Sequence, residues 1–338
     1  MTGRFKMLLD RFRSCKVLVA GDMIADEYIL GRPWRISREA PVLVLRYADH
    51  FVRPGGATNP AYNISTLGAQ AIPFGIIGDD EMGCRLSLAI QESGMSTDGL
   101  LVDGGRPTST KTRILAGGVQ EVQQQIVRVD RIDDREVSDE LRDQMIEKLC
   151  AALPGADALL ISDYENGAIS QEVIEACLPE ARRHGLIITV DSHGDLFRFR
   201  GVTAVTPNQP EAEAALGRPI RDDQDLALAG ETMLLRMDAG GVLITRGSQG
   251  LALFQRNENP YLLPVAPANG TEVADATGAG DTVAAVFTLA LAAGMSMRMA
   301  AYLGNVAGGE VVQHLGAVPL TPSQFVGALE RTVLPLPD

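Results

Sequence analysis

Apolar and polar positions along the chain follow two rhythms. From about residue 138 onward, short apolar runs alternate with stretches of helical period. ALLIS (158–162), LIITVD (186–191), VTAVTPN (202–208) and GVLITRG (241–247) read as buried strands. The spacing predicts helices near 139–152, 171–184, 210–216, 222–238, 279–293, 296–313 and 322–332. LALFQ (251–255) and YLLPV (261–265) read as a small antiparallel addition. Earlier, KVLVA (16–20) predicts a first strand ending at Gly21-Asp22. A helix from Ala57 to Leu67, a strand over 71–77 and a helix over 81–92 follow. PVLVLRYADHFV (41–52) and TSTKTRILAGGVQEVQQQIVRVD (108–130) keep a different, period-two beat, the second around a Gly117-Gly118 turn. These predict strands exposed on one face.

Apolar strands alternating with helices predict an α/β fold with a mainly parallel central sheet covered on both faces. The two period-two regions, about 28–52 and 106–131, are expected to meet as a small β-sheet lid over the strand ends. With no repeat and no long linker, residues 1–338 read as one domain. Each strand that ends on a polar residue places it at one sheet edge, where open α/β sheets bind ligands. Those residues are Asp22, Asp163, Asp191, Asn208 and Thr245.

Composition changes this picture in three places. A net charge of −13 argues against nucleic acid or an anionic membrane as partner. Within that acidic chain lie two basic islands. Residues 28–53 carry five arginines against two acids, and residues 104–131 four arginines and a lysine against two acids. They point to capture of a small anion, or to two solvated strand faces. No apolar run reaches the ~18 residues of a membrane span, and no secretory segment opens the chain, so a cytoplasmic enzyme is expected. Cys15, Cys84, Cys150 and Cys177 stand far apart in apolar surroundings and read as core thiols.

The chemistry concentrates in DATGAGDT (275–282). Gly278, Ala279 and Gly280 open an apolar helix, and bare N–H groups with the helix dipole behind them make an anion hole. Asp281 in the first turn would face that anion, a costly arrangement unless it accepts a proton from an attacking hydroxyl. Otherwise Asp281 is an ordinary N-terminal acid and the glycines a turn. Neither a dinucleotide fingerprint nor a G-x-x-x-x-G-K-[ST] phosphate loop occurs.

DATGAGDT resembles the C-terminal signature of the ribokinase-like (PfkB) carbohydrate kinases. RPGGATNPAYNISTLGA (53–69) resembles their N-terminal signature, and TPNQPEAEAALG (206–217) their Asn-x-x-Glu segment. The three occur in the family's order. The resemblance implies a three-layer sandwich, transfer of the γ-phosphoryl group of ATP with Mg²⁺ to a sugar hydroxyl, and Asp281 as general base. Gly278, Ala279 and Gly280 would then hold the transferred group, and Asn208 and Glu211 the nucleotide phosphates and water-bound Mg²⁺. Thr245, Gly247 and Gly250 match the nucleotide-lining segment, and Asn305 a position beside the adenine. Asp275 and Thr277 match a loop that binds a monovalent cation such as K⁺ in some members. Asp22, Gly55, Gly56 and Asn59 match hydroxyl-binding positions, and Asp163 is grouped with them at the sugar.

GDMIADEYILGRPWRISREAPV (21–42), TSTKTRIL, QQQIVRVD and SDYENGAIS are similar to the heptose 7-phosphate kinases within that family. A substrate already carrying a phosphate needs cations away from the base, and Lys111, Arg113 and Arg128 are the residues expected to supply them. The resemblance implies conversion of D-glycero-D-manno-heptose 7-phosphate to the 1,7-bisphosphate. A kinase of another sugar or a nucleoside, and a silent sugar-binding protein, stay open. Asn166 and His193 stand where the subfamily has lysines, which removes two expected positive charges. No His-x-Gly-His motif occurs, so the adenylyltransferase half sometimes fused to these kinases is not expected. A lid-to-lid homodimer is expected from the lid's part-apolar face.

Overall fold

The computed structural model describes residues 3–117, 124–133, 135–265, 275–314, 316–332 and 337. The chain opens with α1 (Gly3–Arg13), β1 (Lys16–Gly21), β2 (Met23–Ile36), β3 (Leu43–Gly56), α2 (Thr58–Thr66), β4 (Gln70–Gly78), α3 (Glu81–Glu92) and β5 (Leu100–Asp103). It continues through β6 (Thr110–Ala116), β7 (Gln124–Arg131), α4 (Asp139–Ala152), β8 (Ala158–Asp163), α5 (Gln171–Arg183), β9 (Ile187–Ser192), β10 (Ala204–Val205) and α6 (Gln209–Leu216). Then come α7 (Asp223–Met237), β11 (Gly241–Thr245), β12 (Leu251–Gln255), β13 (Tyr261–Leu263), α8 (Ala279–Ala292), α9 (Met297–Val311) and α10 (Pro322–Arg331).

A nine-stranded sheet runs β13-β12-β11-β10-β9-β8-β1-β4-β5. It is parallel from β11 to β5, with β12 and β13 added antiparallel at one edge. The strand periodicity explains why β1 reads as one apolar run. Val17 and Val19 pack into a core with α1, α2, α8, α9 and α10, while Leu18 and Ala20 pack into a second core with α4, α5 and α7. Strand order reverses between β8 and β1, and the crevice there is the sheet's natural ligand position.

The two period-two regions do meet. They form a separate sheet ordered β3-β2-β6-β7, in which β2 pairs antiparallel with β3 and parallel with β6. Its root is buried from Met23 to Asp26, whereas β7 is exposed throughout. Pro33 cannot donate to the ladder, and the β2–β3 register shifts between Pro33 and Arg35. Gly118 of the expected Gly117-Gly118 turn lies outside the described residues.

Two expectations need correction, and two elements, α1 and β5, were not expected at all. Of the strand expected over 202–208, only Ala204–Val205 pairs, because Pro207 interrupts it and Asn208 begins a helix. Helix α1 was hidden by the mixing of charge and apolar residues that an amphipathic surface helix requires. The short β5 carried too few residues to show a period. Cys84 is exposed on α3, although Cys15 and Cys177 are buried as expected.

The strand-order reversal is fastened by one carboxylate. Asp22 follows β1, and its Oδ2 accepts the N–H groups of Tyr164 (2.8 Å) and Asn166 (3.1 Å) while Oδ1 accepts that of Ala168 (3.0 Å). Asp22 therefore fixes the loop after β8. Burial raises its pKa, the Ala168 bond opposes that, and the Asp163 charge adds to it. Asp22→Asn keeps one acceptor oxygen and turns an amide toward an N–H donor. We expect it to lower unfolding free energy by about 2–3 kcal/mol, the scale of an orphaned buried donor plus a lost charge-assisted bond. Urea unfolding measures this, and a variant as stable as the parent would remove Asp22 from that role.

Candidate active site

Helix α8 is buried on all sides from Asp281 to Leu291, so its direction is set by packing. Seven helices (α3, α4, α5, α6, α7, α9 and α10) have a capping side chain that accepts from their first turn. Helix α8 starts instead on Gly278 at φ 76° with no side-chain cap. A Cβ on Gly278 would lie 2.8 Å from the Asn59 amide nitrogen, whereas one on Gly280 would meet open space. Ala279 is the first residue of the helix between them. The helix N-terminus thus opens onto a gap, with its dipole unneutralised by any cap.

Asp281 lies in that first turn at 9% exposure. Its Oδ2 accepts from Asn59 Nδ2 at 2.6 Å and its Oδ1 from the Tyr164 hydroxyl at 2.7 Å. Burial raises its pKa, the two hydrogen bonds and the nearby His193 oppose that, and Asp26 adds to it. The result is an oriented carboxylate more basic than one in water, suited to accept a proton from a hydroxyl.

Around Asp281 the sequence-nominated residues sort into three groups. On the sheet edge, Asn208 and Glu211 close a capping box at the start of α6, with Asn208 Nδ2 donating to Glu211 Oε1 at 2.6 Å. The same carboxylate lies 2.5 Å from His193 Nδ1. Thr245 ends β11 beside Asn208, donating its N–H to Pro207. Gly247 and Gly250 shape the next turn at positive φ, and a Cβ on Gly250 would sit 2.0 Å from the Leu263 carbonyl oxygen. Asn305 is buried on α9 and donates to the Pro264 carbonyl at 2.8 Å, tying down the chain beyond β13. Asp275 accepts from the Thr277 N–H (2.9 Å), the Thr277 hydroxyl (2.7 Å) and the Gly316 N–H (2.9 Å). Burial would raise the Asp275 pKa, but these bonds, led by the Thr277 hydroxyl, hold it below the usual range.

On the lid side, Lys111 Nζ stands 4.7 Å from the centre of the Tyr164 ring. Among the described residues it forms no ion pair, and burial lowers its pKa against the pull of Asp26. Arg113 is buried in an ion pair with Asp26 at 2.6 Å. Arg128 lies opposite Arg113 in the ladder and pairs with Asp130 at 2.9 Å. Gly55 is a glycine because a Cβ there would lie 2.5 Å from the Asp26 carboxyl carbon, and Gly56 turns at φ 54° against the Asp22 carbonyl.

Two residues expected at the sugar are bound into the scaffold. Asp22 spends both oxygens on the 164–168 loop. Asp163, 1% exposed, accepts from Ser192 Oγ (2.7 Å), Arg198 (2.6 Å) and the Glu165 N–H (3.1 Å). Asp26 and Tyr164, not nominated from the sequence, act directly on Asp281. A readable signal existed for Asp26: an acid directly after the apolar strand residues Met23 to Ala25, if buried with them, must be paired or functional. No local pattern marks Tyr164.

Described residues contain no helix long and apolar enough to cross a membrane and no ready cluster of His, Cys, Asp and Glu for a metal ion. Comparison with known proteins supplies the family. Residues 33–324 match the model of the pfkB family carbohydrate kinases. The bifunctional protein HldE of Trichlorobacter lovleyi is 38% identical over 323 residues, covering 95% of this chain and 64% of the relative. HldE of Citrifermentans bemidjiense is 39% identical over 318 residues, covering 94% and 64%. The chain thus spans under two thirds of the length of these relatives. Escherichia coli phosphofructokinase-2 in complex with potassium superposes with a TM-score of 0.75 at 19% identity, over 94% of this chain and 98% of that one. Arabidopsis thaliana ribokinase complexed with ribose and ATP gives 0.71 at 20%, over 94% and 99%. The fold is the ribokinase-like α/β sandwich with a small sheet beside it, and the chain belongs to the pfkB family of carbohydrate kinases.

Proposed function

We propose that the protein is an ATP-dependent kinase of a phosphorylated sugar, D-glycero-D-manno-heptose 7-phosphate, forming the 1,7-bisphosphate. The observation that carries this reading is the buried Asp281 carboxylate at an uncapped helix N-terminus, with the unpaired Lys111 ammonium entering from the lid. Membership of a carbohydrate kinase family and the likeness to proteins named HldE support it.

In the proposed reaction the anomeric hydroxyl attacks the γ-phosphorus in line. The new O–P bond forms as the bond to the ADP oxygen breaks, and Asp281 takes the hydroxyl proton. The N–H groups at Gly278 and Gly280 would face the charge spread over the transferred group, whereas that of Ala279 donates to the Ala276 carbonyl at 3.2 Å and would have to turn to join them. Asn208 and Glu211 would hold water-bound Mg²⁺. A single carboxylate beside an amide fits an ion that keeps its waters and takes its other ligands from phosphate, and does not fit a protein-only cage. When bound, Mg²⁺ would neutralise charge on the nucleotide phosphates. Thr245, Gly247, Gly250 and Asn305 would line the nucleotide, and Asp275 and Thr277 a monovalent cation. Asn59, Gly55, Gly56 and Asp26 would meet the sugar. Of the three cations assigned to its phosphate, Arg113 and Arg128 already have carboxylate partners, so Lys111 carries most of that work.

Two measurements test the chemistry. ADP release across a panel of sugars, sugar phosphates and nucleosides should favour heptose 7-phosphate, and Asp281→Asn should lower kcat by ~10²–10⁴. A nucleoside or unphosphorylated sugar turned over faster would displace the substrate assignment, and near-native turnover in Asp281→Asn would remove the base. Gly280→Ala separates the anion hole from a plain turn. A methyl there meets no protein atom, so the variant should be as stable as the parent or up to about 1 kcal/mol more stable. Its turnover should nevertheless drop at least tenfold. Unchanged kinetics would make the glycine a matter of backbone alone.

We also propose a homodimer through the lid. Trp34, Ile36, Tyr47 and Val129 are each more than half exposed on this small sheet, which as a monomer would leave them in water. Sedimentation velocity should give twice the 36.1 kDa of one chain, and Tyr47→Asp should shift it toward the monomer. A monomer at tens of micromolar parent protein would refute the dimer.

A further inference from the structure

Tyr164 lies at a junction that the reaction scheme leaves unused. Its backbone N–H is held by Asp22 and its hydroxyl donates to Asp281 at 2.7 Å. Its ring is gripped from two sides. Lys111 Nζ, from lid strand β6, stands 4.7 Å from the ring centre, and the His193 ring, just past β9, packs edge-on at 4.4 Å and 62°. His193 in turn contacts Glu211 of the α6 cap. One phenol thus touches the candidate base and the lid, and reaches the α6 cap through His193.

Packing alone would be served by phenylalanine, so the hydroxyl needs its own reason. Burial and the neighbouring acids, Asp281 first among them, hold the phenol pKa well above its ordinary value. The group therefore stays a donor at every working pH. Its bond occupies one lone pair of Asp281 Oδ1, Asn59 occupies one on Oδ2, and the carboxylate cannot rotate without breaking both.

Accepting Asp281 as the base, we propose that Tyr164 is a positioning residue: its hydroxyl orients the carboxylate, and its ring links that orientation to the lid through Lys111. The lid then does more than cover the sugar. When its cation engages a phosphate on the substrate, the contact to the ring changes, and so does the seating of the ring against Asp281.

Tyr164→Phe tests this. We expect kcat to fall about 10- to 100-fold, the scale of one charge-assisted hydrogen bond, with the KM for ATP within about twofold of the parent. The acid limb of the kcat/KM profile should move up by about one pH unit, because the lost donor favoured the ionised form. Asp26, Asp191, His193 and Lys111 also act on Asp281, and all four are present in both proteins. In a double-mutant cycle, Lys111→Gln should cost less turnover in Tyr164→Phe than in the parent.

Parent-like kcat and an unmoved acid limb in Tyr164→Phe would overturn the orienting role, and strict additivity would overturn the link to the lid. Asp281→Asn assayed alongside keeps the two readings apart. If it is inactive while Tyr164→Phe behaves as the parent, the base survives and this inference fails. If Asp281→Asn turns over normally, the base itself is wrong. Should Tyr164→Phe fold poorly, 3-fluorotyrosine at position 164 preserves the shape with a stronger donor. It should move the acid limb down, and an unmoved limb would count against the proposal.

Discussion

A carboxylate buried in the first turn of an otherwise apolar helix has to be stabilised by its surroundings, and much of the structure follows from how this is done for Asp281. Two donors reach it, Asn59 from α2 and Tyr164 from the loop after β8, so α2, α8 and that loop must hold a fixed relation. The loop cannot hold itself, because Glu165 within it adopts a positive φ. Asp22 supplies the restraint by accepting three of its N–H groups across the strand-order reversal. One buried acid positions the donor of another, and neither arrangement depends on a flexible surface side chain.

What could be read from the sequence follows from the range of the interactions involved. Buried parallel strands and the helices between them announce themselves through local periodicity, and nearly all of them lie where the pattern put them. The small sheet was legible as two segments of alternating apolar and polar residues, each needing a strand partner. Site residues were legible where chemistry demands a local motif, as with Gly278 to Asp281 and the Asn208–Glu211 box. Tyr164 and the scaffold contacts of Asp22 and Asp163 were not, since they depend on contacts more than 100 residues apart or on a neighbour such as Arg198 that follows a different strand. An aspartate after a strand looks alike whether it faces a ligand or a loop.

The lid shows why cation count is a poor guide to anion binding. Five basic residues in each island suggested a dense positive surface. Arg113 is committed to Asp26, Arg128 to Asp130, and Arg131 lies 3.4 Å from Asp80. The arginine fork suits fixed pairing with carboxylates, and a buried charge without such a partner is expensive. Lysine is the better residue to leave uncommitted, because a flexible stem lets the ammonium lie over an aromatic ring until an anion arrives. Lys111 on Tyr164 is in that state.

The same reasoning reverses one apparent loss. His193 stands where the resemblance leads one to expect lysine, which on sequence alone removes a positive charge. Its hydrogen bond to Glu211, opposed by burial and assisted by Asp191, raises the imidazole pKa to about 8. The contact to Glu211 thus favours the protonated ring at this corner. Asn166 has no such recourse: its backbone N–H is spent on Asp22 and its side chain cannot ionise. The site thus favours a positive charge beside the Asn208–Glu211 cap, lacks an ionisable side chain at position 166 on the loop after β8, and holds the Lys111 ammonium on the side of the small sheet.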